Sequence, residues 1–466
     1  MAFNSLAYAL FLPLVYCVCA AAGQRARTAV LLLASAGFYA LLHAPYLLGV
    51  LGFVILFTWW IGRRLDACPT ERARKTVFWS GVAGNALVLI LFKSLPFLSP
   101  LSPFGGIWVT IGISYYVFQA ISYLVDVYLE IEKAEKRLDD FALYLAFFPK
   151  LLQGPIERAG DLLPQLKTPY RFDYENMRQG LVLFAWGLFK KVVIADRLGT
   201  FVDPVFNDIP AHTGLSLLLT LYFYAFQIYC DFSGYTDMAL GSARLFNIRL
   251  TQNFNSPYLA TSVADFWRRW HISFSRWILD YLFKPMQMQW RNWKTGGTVL
   301  ALLVTFLISG LWHGVSWGFV IWGLLHGIYL SVPILWAAFT KKKSKRSRQP
   351  KSRVATGGQI FLTFHLLVFS WIFFRANSLG DAFQILRNLG VHFLDRSQIP
   401  FSIEYLIALV GIAFIGFFDA FRGEKSFPDL VCARSKIVRW PLYYLLVMAI
   451  LLFGMFGQSK FIYFQF

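Results

Sequence analysis

The run Gly297-Thr-Val-Leu-Ala-Leu-Leu-Val-Thr-Phe-Leu-Ile-Ser-Gly-Leu-Trp312 contains no Asp, Glu, Lys or Arg. Neither does Ser316-Trp-Gly-Phe-Val-Ile-Trp-Gly-Leu-Leu-His-Gly-Ile-Tyr-Leu-Ser-Val-Pro-Ile-Leu-Trp-Ala-Ala338, which follows it after His313-Gly-Val. A helix needs about 20 residues to cross a hydrocarbon core of about 30 Å, so each run reads as a membrane helix, with one histidine where the two meet. The rest of the chain repeats the pattern. Of its 466 residues, 57% are hydrophobic, 18% aromatic and 15% charged, against about a quarter charged in a soluble domain. The same composition excludes disordered, coiled-coil, collagen-like and disulfide-scaffold classes.

Apolar blocks fall at 5–22, 28–45, 46–62, 77–97, 106–129, 141–153, 179–196, 214–231, 297–312, 316–338, 356–374, 403–421 and 440–458. Segment 141–153, with Pro149 inside it and Pro155 after it, is short for a crossing and reads as re-entrant, buried within the protein. The expected fold is all-α: a polytopic membrane protein of about ten to thirteen membrane helices with re-entrant and interfacial helices besides. No internal repeat appears, and one domain over 1–466 is the simplest organisation. Residues 1–23 carry no Lys or Arg ahead of their apolar stretch, which favours a retained first span over a cleaved signal peptide.

Lys and Arg number 44 against 25 Asp and Glu, a net charge of +19. They gather in short connections at 24–27, 63–75, 341–353 and 422–439, as cytoplasmic loops do. Counting spans puts 24–27 and 63–75 on one side, with the N-terminus outside, and places 341–353 and 422–439 together as well. Tract 341–353 holds eight basic residues and no acid; it reads as a cytoplasmic loop able to touch anionic membrane lipid. No groove-reading motif accompanies the charge, so nucleic acid is not an expected partner. The five cysteines imply no disulfide framework. No metal is expected either, since His271, His313 and His326 belong to no H-E-x-x-H or Cys cluster. Gly314-Val-Ser-Trp-Gly318 matches G-x-S-x-G, but that motif works only at a strand-to-helix turn, and no sheet is in prospect. No P-loop occurs.

Ionisable groups at membrane depth are costly and mark candidate sites. Three stretches carry them. In Asp231-Phe-Ser-Gly-Tyr-Thr-Asp237-Met-Ala-Leu-Gly241-Ser-Ala-Arg244, helical spacing puts Gly234 with Gly241, and Asp237 with Arg244, on shared faces. A bracing ion pair and a chemical role both fit. In Asp265-Phe-Trp-Arg268-Arg269-Trp270-His271-Ile-Ser-Phe-Ser275-Arg276-Trp277-Ile-Leu-Asp280-Tyr281, aromatic residues recur at helical spacing, while Asp265 with Arg269 and Arg276 with Asp280 form i,i+4 pairs. That spacing predicts one amphipathic helix at an interface or dipping into the protein, in which His271 binds a polar head group or carries a proton or, equally, hydrogen-bonds Ser275 for structure. In Ser309-Gly-Leu-Trp312-His313-Gly-Val-Ser316, the glycines permit a break in the helix, and a neutral imidazole there can accept a proton from a hydroxyl. A histidine that merely bonds at a helix junction fits equally. His326, in the next run, reads as a packed or hydrogen-bonded helix residue.

Taken as a set, these strings resemble those of the membrane-bound O-acyltransferases, in particular the bacterial alginate O-acetyltransferase branch. The resemblance rests on Phe266-Trp-Arg-Arg-Trp-His271-Ile-Ser-Phe-Ser-Arg-Trp277 and Gly310-Leu-Trp-His313-Gly314. Phe3-Asn-Ser5, Gly112-Ile-Ser-Tyr-Tyr-Val-Phe-Gln119, Gln153-Gly-Pro-Ile156, Asp231 to Met238, Asn253-Phe-Asn-Ser-Pro-Tyr258 and Trp371-Ile-Phe-Phe-Arg-Ala376 support it. It implies helices around a central tunnel, a cytoplasmic thioester donor, acetyl-CoA in this branch, and passage of the acyl group to a hydroxyl or partner across the membrane. It places the catalytic histidine at His313 and a second characteristic polar position at His271. The implied partners are an extracytoplasmic (periplasmic) acetyltransferase and a polysaccharide acceptor such as alginate, at the bacterial inner membrane. One departure concerns the acceptor and partner: after Asp280-Tyr-Leu-Phe, relatives often continue with a Pro-Leu-Gly-Gly turn, where this chain reads Lys284-Pro-Met-Gln-Met-Gln-Trp290.

Acyl transfer from a thioester needs a base for the acceptor hydroxyl, positioning, and donors for the developing oxyanion. His313 is the candidate base, with His271 as the second catalytic candidate. Trp312, Ser309, Ser316 and the amides near Gly314 are supporting candidates, with Asp237. Arg268, Arg269 and Arg276 are candidates to hold donor phosphates or, equally, to anchor lipid. Two other readings are D-alanyl transfer from a carrier-protein thioester to teichoic acid, and a non-enzymatic polysaccharide export subunit.

Overall fold

The computed structural model describes residues 1–42, 44, 46–98, 112–340, 352–393, 399, 402–457 and 461–462. All but the last two residues of the basic tract 341–353, and residues 106–111 of the expected span 106–129, lie outside the described residues. Helices follow one another along the chain: α1 (Leu6–Ala21), α2 (Gln24–Ala40), α3 (Tyr46–Asp66), α4 (Glu71–Leu98), α5 (Ile113–Tyr128), α6 (Leu138–Ala146), α7 (Phe148–Leu151), α8 (Ala159–Lys167) and α9 (Tyr174–Phe189). After a π-helical turn at Lys190–Ala195 come α10 (Asp196–Asn207), α11 (Gly214–Leu245), α12 (Val263–Trp267), α13 (Ile272–Ile278) and α14 (Lys284–Gln289). The remainder are α15 (Lys294–His313), α16 (Trp317–Phe339), α17 (Arg353–Arg375), α18 (Leu379–Asn388), α19 (Ile403–Phe421), α20 (Phe427–Cys432) and α21 (Lys436–Phe453).

The fold is all-α and polytopic, with no β-sheet among the described residues. Eight helices among them are long and apolar enough to cross a membrane, and two shorter apolar ones, Leu6–Ala21 and Ala26–Ala40, join them. Their outer faces are those of a protein solvated by lipid. Leu6, Leu10 and Leu14 on α1, Phe417 and Phe421 on α19, and Leu445, Leu451 and Leu452 on α21 are all exposed, an arrangement that water would penalise. Polar residues start the helices: Ser5 accepts from the Tyr8 amide, Ser378 from Asp381 and Ser402 from Tyr405, each satisfying an otherwise orphaned N–H.

The described residues cluster into two compact units. The first comprises Met1–Leu188, Tyr235–Gln252 and Phe427–Met448. The expected re-entrant segment is two short buried helices, α6 and α7. Lys150 of α7 is completely buried; its Nζ donates to the Leu145 carbonyl at 3.3 Å and to the Gln119 side chain. The carboxylate of Glu157 accepts from the Thr251 amide at 2.6 Å and hydroxyl at 3.0 Å. Gly241 meets the backbone of α9 so closely that a Cβ there would lie 2.6 Å from the Gly180 oxygen, which accounts for the small residue expected on that face of α11.

The second unit comprises Phe189–Gly234, Asn253–Ser426 and Ala449–Phe466. Its interior holds an ion cluster. Lys191, in the π-helical turn, contacts Asp231 at 2.6 Å and Asp196 at 2.8 Å, and all three side chains are at most 3% exposed. Asp231 also accepts from the Ile462 amide at 2.8 Å. Two carboxylates around one buried ammonium satisfy each other where neither would be tolerated alone.

Candidate active site

The hairpin of α15 and α16, within the second unit, is built on glycine. A Cβ on Gly310 would lie 2.3 Å from the Phe319 oxygen, and one on Gly323 would lie 2.3 Å from the Phe306 oxygen. Two helix backbones therefore touch where any side chain would force them apart. His313 is the last residue of α15, beside this contact, and only 5% of it is exposed. Rings surround it: Trp312 at 4.5 Å between centroids, Trp322 at 5.1 Å and edge-on, Phe374 at 5.0 Å and Phe319 at 6.0 Å. One turn earlier on α15, the buried Ser309 hydroxyl has no hydrogen-bond partner among the described residues. An imidazole and a hydroxyl, both buried, thus share one end of a helix.

His271 sits differently from the expectation. The stretch 265–281 is not one continuous amphipathic helix: α12 stops at Trp267, and His271 adopts φ +42° before α13 starts at Ile272. The cause is a distant segment that sequence periodicity does not register. The Asn253 carbonyl accepts from the Ile272 amide at 3.0 Å, its side chain accepts from the Ser273 amide at 3.0 Å, and the Asn255 amide donates to the Arg269 carbonyl at 2.9 Å. Those bonds hold open the break between α12 and α13. Ser275 donates to the Trp270 carbonyl at 3.0 Å. The His271 ring is 2% exposed, edge-on to Phe232 at 4.8 Å and beside Phe274 at 5.0 Å. Burial pushes its pKa down to about 3, so the ring is neutral at physiological pH. Phe274 packs on Trp312 at 4.4 Å, so rings run without a gap from His271 to His313.

His326 is packed and hydrogen-bonded, as expected. It is completely buried; Trp267 donates to its Nδ1 at 3.2 Å, and its Nε2 lies 3.1 Å from the Ser370 hydroxyl. Trp322 touches both histidines, His313 at 5.1 Å and His326 at 4.9 Å. Sequence reading missed Trp322, Ser370 and Phe374 as walls of the site. Phe374 lies in the Trp371-Ile-Phe-Phe-Arg string, which was a usable signal.

The other candidates divide. Arg269 pairs with Asp265 at 3.1 Å, as its spacing predicted, and reaches the Asn255 carbonyl at 3.5 Å. Arg268 and Arg276 are exposed. Asp280 is held by Lys284 at 2.6 Å. Trp312 is half-buried against His313, whereas Ser316 is exposed at the N-cap of α16. Asp237 belongs to the other unit, half-buried, and there Arg244 donates to Gln179. Lys190 and Lys191 also escaped the reading, although a Lys-Lys pair inside an apolar run is itself a signal. Among the described residues no group of three or more His, Cys, Asp or Glu side chains is arranged to hold a metal ion.

Residues 135–376 match the membrane-bound O-acyltransferase family model. The chain is 34% identical over 402 residues to the peptidoglycan O-acetyltransferase of Helicobacter pylori, covering 77% of this chain and 73% of that protein. It is 33% identical over 494 residues to "Probable alginate O-acetylase AlgI" of Pseudomonas putida, covering 98% of both. At 28% over 348 residues it also resembles the teichoic acid D-alanyltransferase of Bacillus subtilis, covering 72% of this chain and 87% of that one. A match across more than half the chain, with relatives at this identity and coverage, shows that the chain belongs to the membrane-bound O-acyltransferase family and is a membrane acyltransferase.

Proposed function

We propose that the protein moves an acetyl group from a cytoplasmic thioester, acetyl-CoA, to a hydroxyl of an extracytoplasmic polysaccharide at the bacterial inner membrane, directly or through an extracytoplasmic acetyltransferase partner. The observation that carries the reading is His313, an imidazole walled by Trp312, Phe319, Trp322 and Phe374 at a helix end that also bears the Ser309 hydroxyl. In such a site His313 accepts the proton of the attacking hydroxyl as its oxygen adds to the thioester carbonyl. The C–S bond then breaks, and the imidazolium returns the proton to the departing thiolate, so the reaction is proton-neutral overall. Ser309 is positioned on the same helix to donate to the oxyanion. His271, joined to His313 by contiguous rings, serves as a neutral supporting residue. The exposed Arg268 and Arg276 are suited to anchoring anionic lipid, and Arg269 is committed to Asp265 and the loop.

The relatives support acetyl transfer to an envelope glycan, and their acceptors differ: peptidoglycan in one and alginate in another. The D-alanyltransferase relative keeps a second acyl group in view. Ester-linked acetate on the envelope polysaccharides of the source cell tests the reading, comparing wild type, a deletion, and the deletion complemented with His313→Ala at matched protein level. Loss of acetate from one glycan in both mutants is expected and names the acceptor. Unchanged acetate in the deletion sinks acetyl transfer, and esterified D-alanine is then the group to assay; full activity in His313→Ala removes the proposed base.

A further inference from the structure

We propose that His326 is a positioning residue for acyl transfer, acting through Trp322 on the His313 imidazole. The inference rests on the reading of His313 as the base. Its hydrogen bonds fix one tautomer. The Ser370 hydroxyl donates to the Leu367 carbonyl at 2.7 Å, so its lone pairs face His326 Nε2 at 3.1 Å. Nε2 therefore carries the hydrogen, and Nδ1 presents the lone pair that accepts the Trp267 indole N–H at 3.2 Å. With both nitrogens engaged, this imidazole has no lone pair left for a substrate proton: a proton on Nδ1 would set N–H against N–H.

What the ring does instead is hold a wall. Trp322 stands between the two histidines, 5.1 Å from His313 at 88° and 4.9 Å from His326 at 61°. Trp267, pinned by His326, packs against Trp322 at 5.9 Å and against Phe306 at 5.2 Å. His326 thus ties α12, α16 and α17 together behind the ring that flanks His313. Removing it leaves the indole of Trp267 and the hydroxyl of Ser370 without their partner and opens a void behind Trp322. An imidazole that must meet a hydroxyl within a few tenths of an ångström loses rate when its wall moves, with little change in how the donor binds.

Full-length protein in lipid nanodiscs, with acetyl-CoA and a hydroxyl acceptor, provides the test, alongside the rate at which diethyl pyrocarbonate modifies His313 as read from its peptide by mass spectrometry. His326→Ala is expected to lower kcat by about tenfold or more while KM for acetyl-CoA stays within about twofold, and to raise the modification rate of His313. His326→Gln, whose amide can accept from Trp267 and donate to Ser370, restores both. Unchanged His313 reactivity in His326→Ala, with activity falling only as folded protein falls, overturns the proposal and leaves His326 a packing residue. Altered reactivity in a protein whose wild type transfers no acyl group overturns it too, by removing the reaction, and that outcome is distinguishable because the reactivity readout needs no turnover.

Discussion

At the scale of single residues, this protein places ionisable groups where solvation cannot help them and settles each in a different way. Lys191 finds two carboxylates, His326 finds a donor and an acceptor, and His271 stays neutral among rings. The last has a measurable consequence. With its folded pKa near 3, below the ordinary histidine value near 6.5, the folded chain binds no proton at His271 while the unfolded chain does. Its contribution to stability is therefore fully present above pH ~6.5 and falls as pH drops toward 3, by about 2 kcal/mol at pH 5. His271→Asn removes the titration, and Asn tolerates the left-handed backbone at this position. Between pH 7.5 and 5 in detergent, the wild type should lose more melting temperature than the variant. Parallel curves would show that His271 does not titrate on unfolding.

At the scale of elements, what was legible in the sequence was what apolar run length alone determines. The expected span 403–421 coincides with α19, 297–312 falls inside α15, and 316–338 matches α16 but for its N-cap Ser316, because predominantly apolar runs of that length favour a membrane helix. The helix expected over 265–281 fails for an equally physical reason. Its aromatic spacing is periodic, but Asn253 and Asn255 satisfy its backbone from outside and break it at His271. The ring cage was illegible because it is assembled from residues such as Trp267, Trp322 and Ser370, far apart in sequence. The α15–α16 hairpin yields a sharper expectation. Gly323→Ala drives a Cβ against the Phe306 carbonyl with backbone on both sides, so relief requires the helices to separate. Acyl transfer should fall by about tenfold or more even where the protein still inserts. Gly296→Ala, where nothing lies within 4 Å, serves as the control; equal activity in both variants would deny the close contact any part in placing His313.

At the scale of the whole molecule, the distribution of basic residues orients the site. The hairpin starts at Lys294, beside Arg291, and ends at Thr340, where the tract 341–353 begins. Both ends are basic, so both belong on the cytoplasmic side by the positive-inside rule. A helix of 20 residues rises about 30 Å at ~1.5 Å per residue, close to the hydrocarbon thickness. The tip at Gly314 to Ser316, next to His313, then lies toward the opposite face, where an extracytoplasmic acceptor would meet it. The connection 63–75 carries native Cys68 and, by the same rule, faces the cytoplasm. Val315 at the tip is 62% exposed, which makes Val315→Cys a reporter of the other side. A membrane-impermeant maleimide added to intact spheroplasts should label Val315→Cys and spare Cys68, with Cys68 reacting after permeabilisation. Labelling of Cys68 from outside, or of Val315→Cys only after permeabilisation, would invert the orientation. The acceptor would then have to be reached from the cytoplasm, contrary to the direction of transfer proposed for this protein.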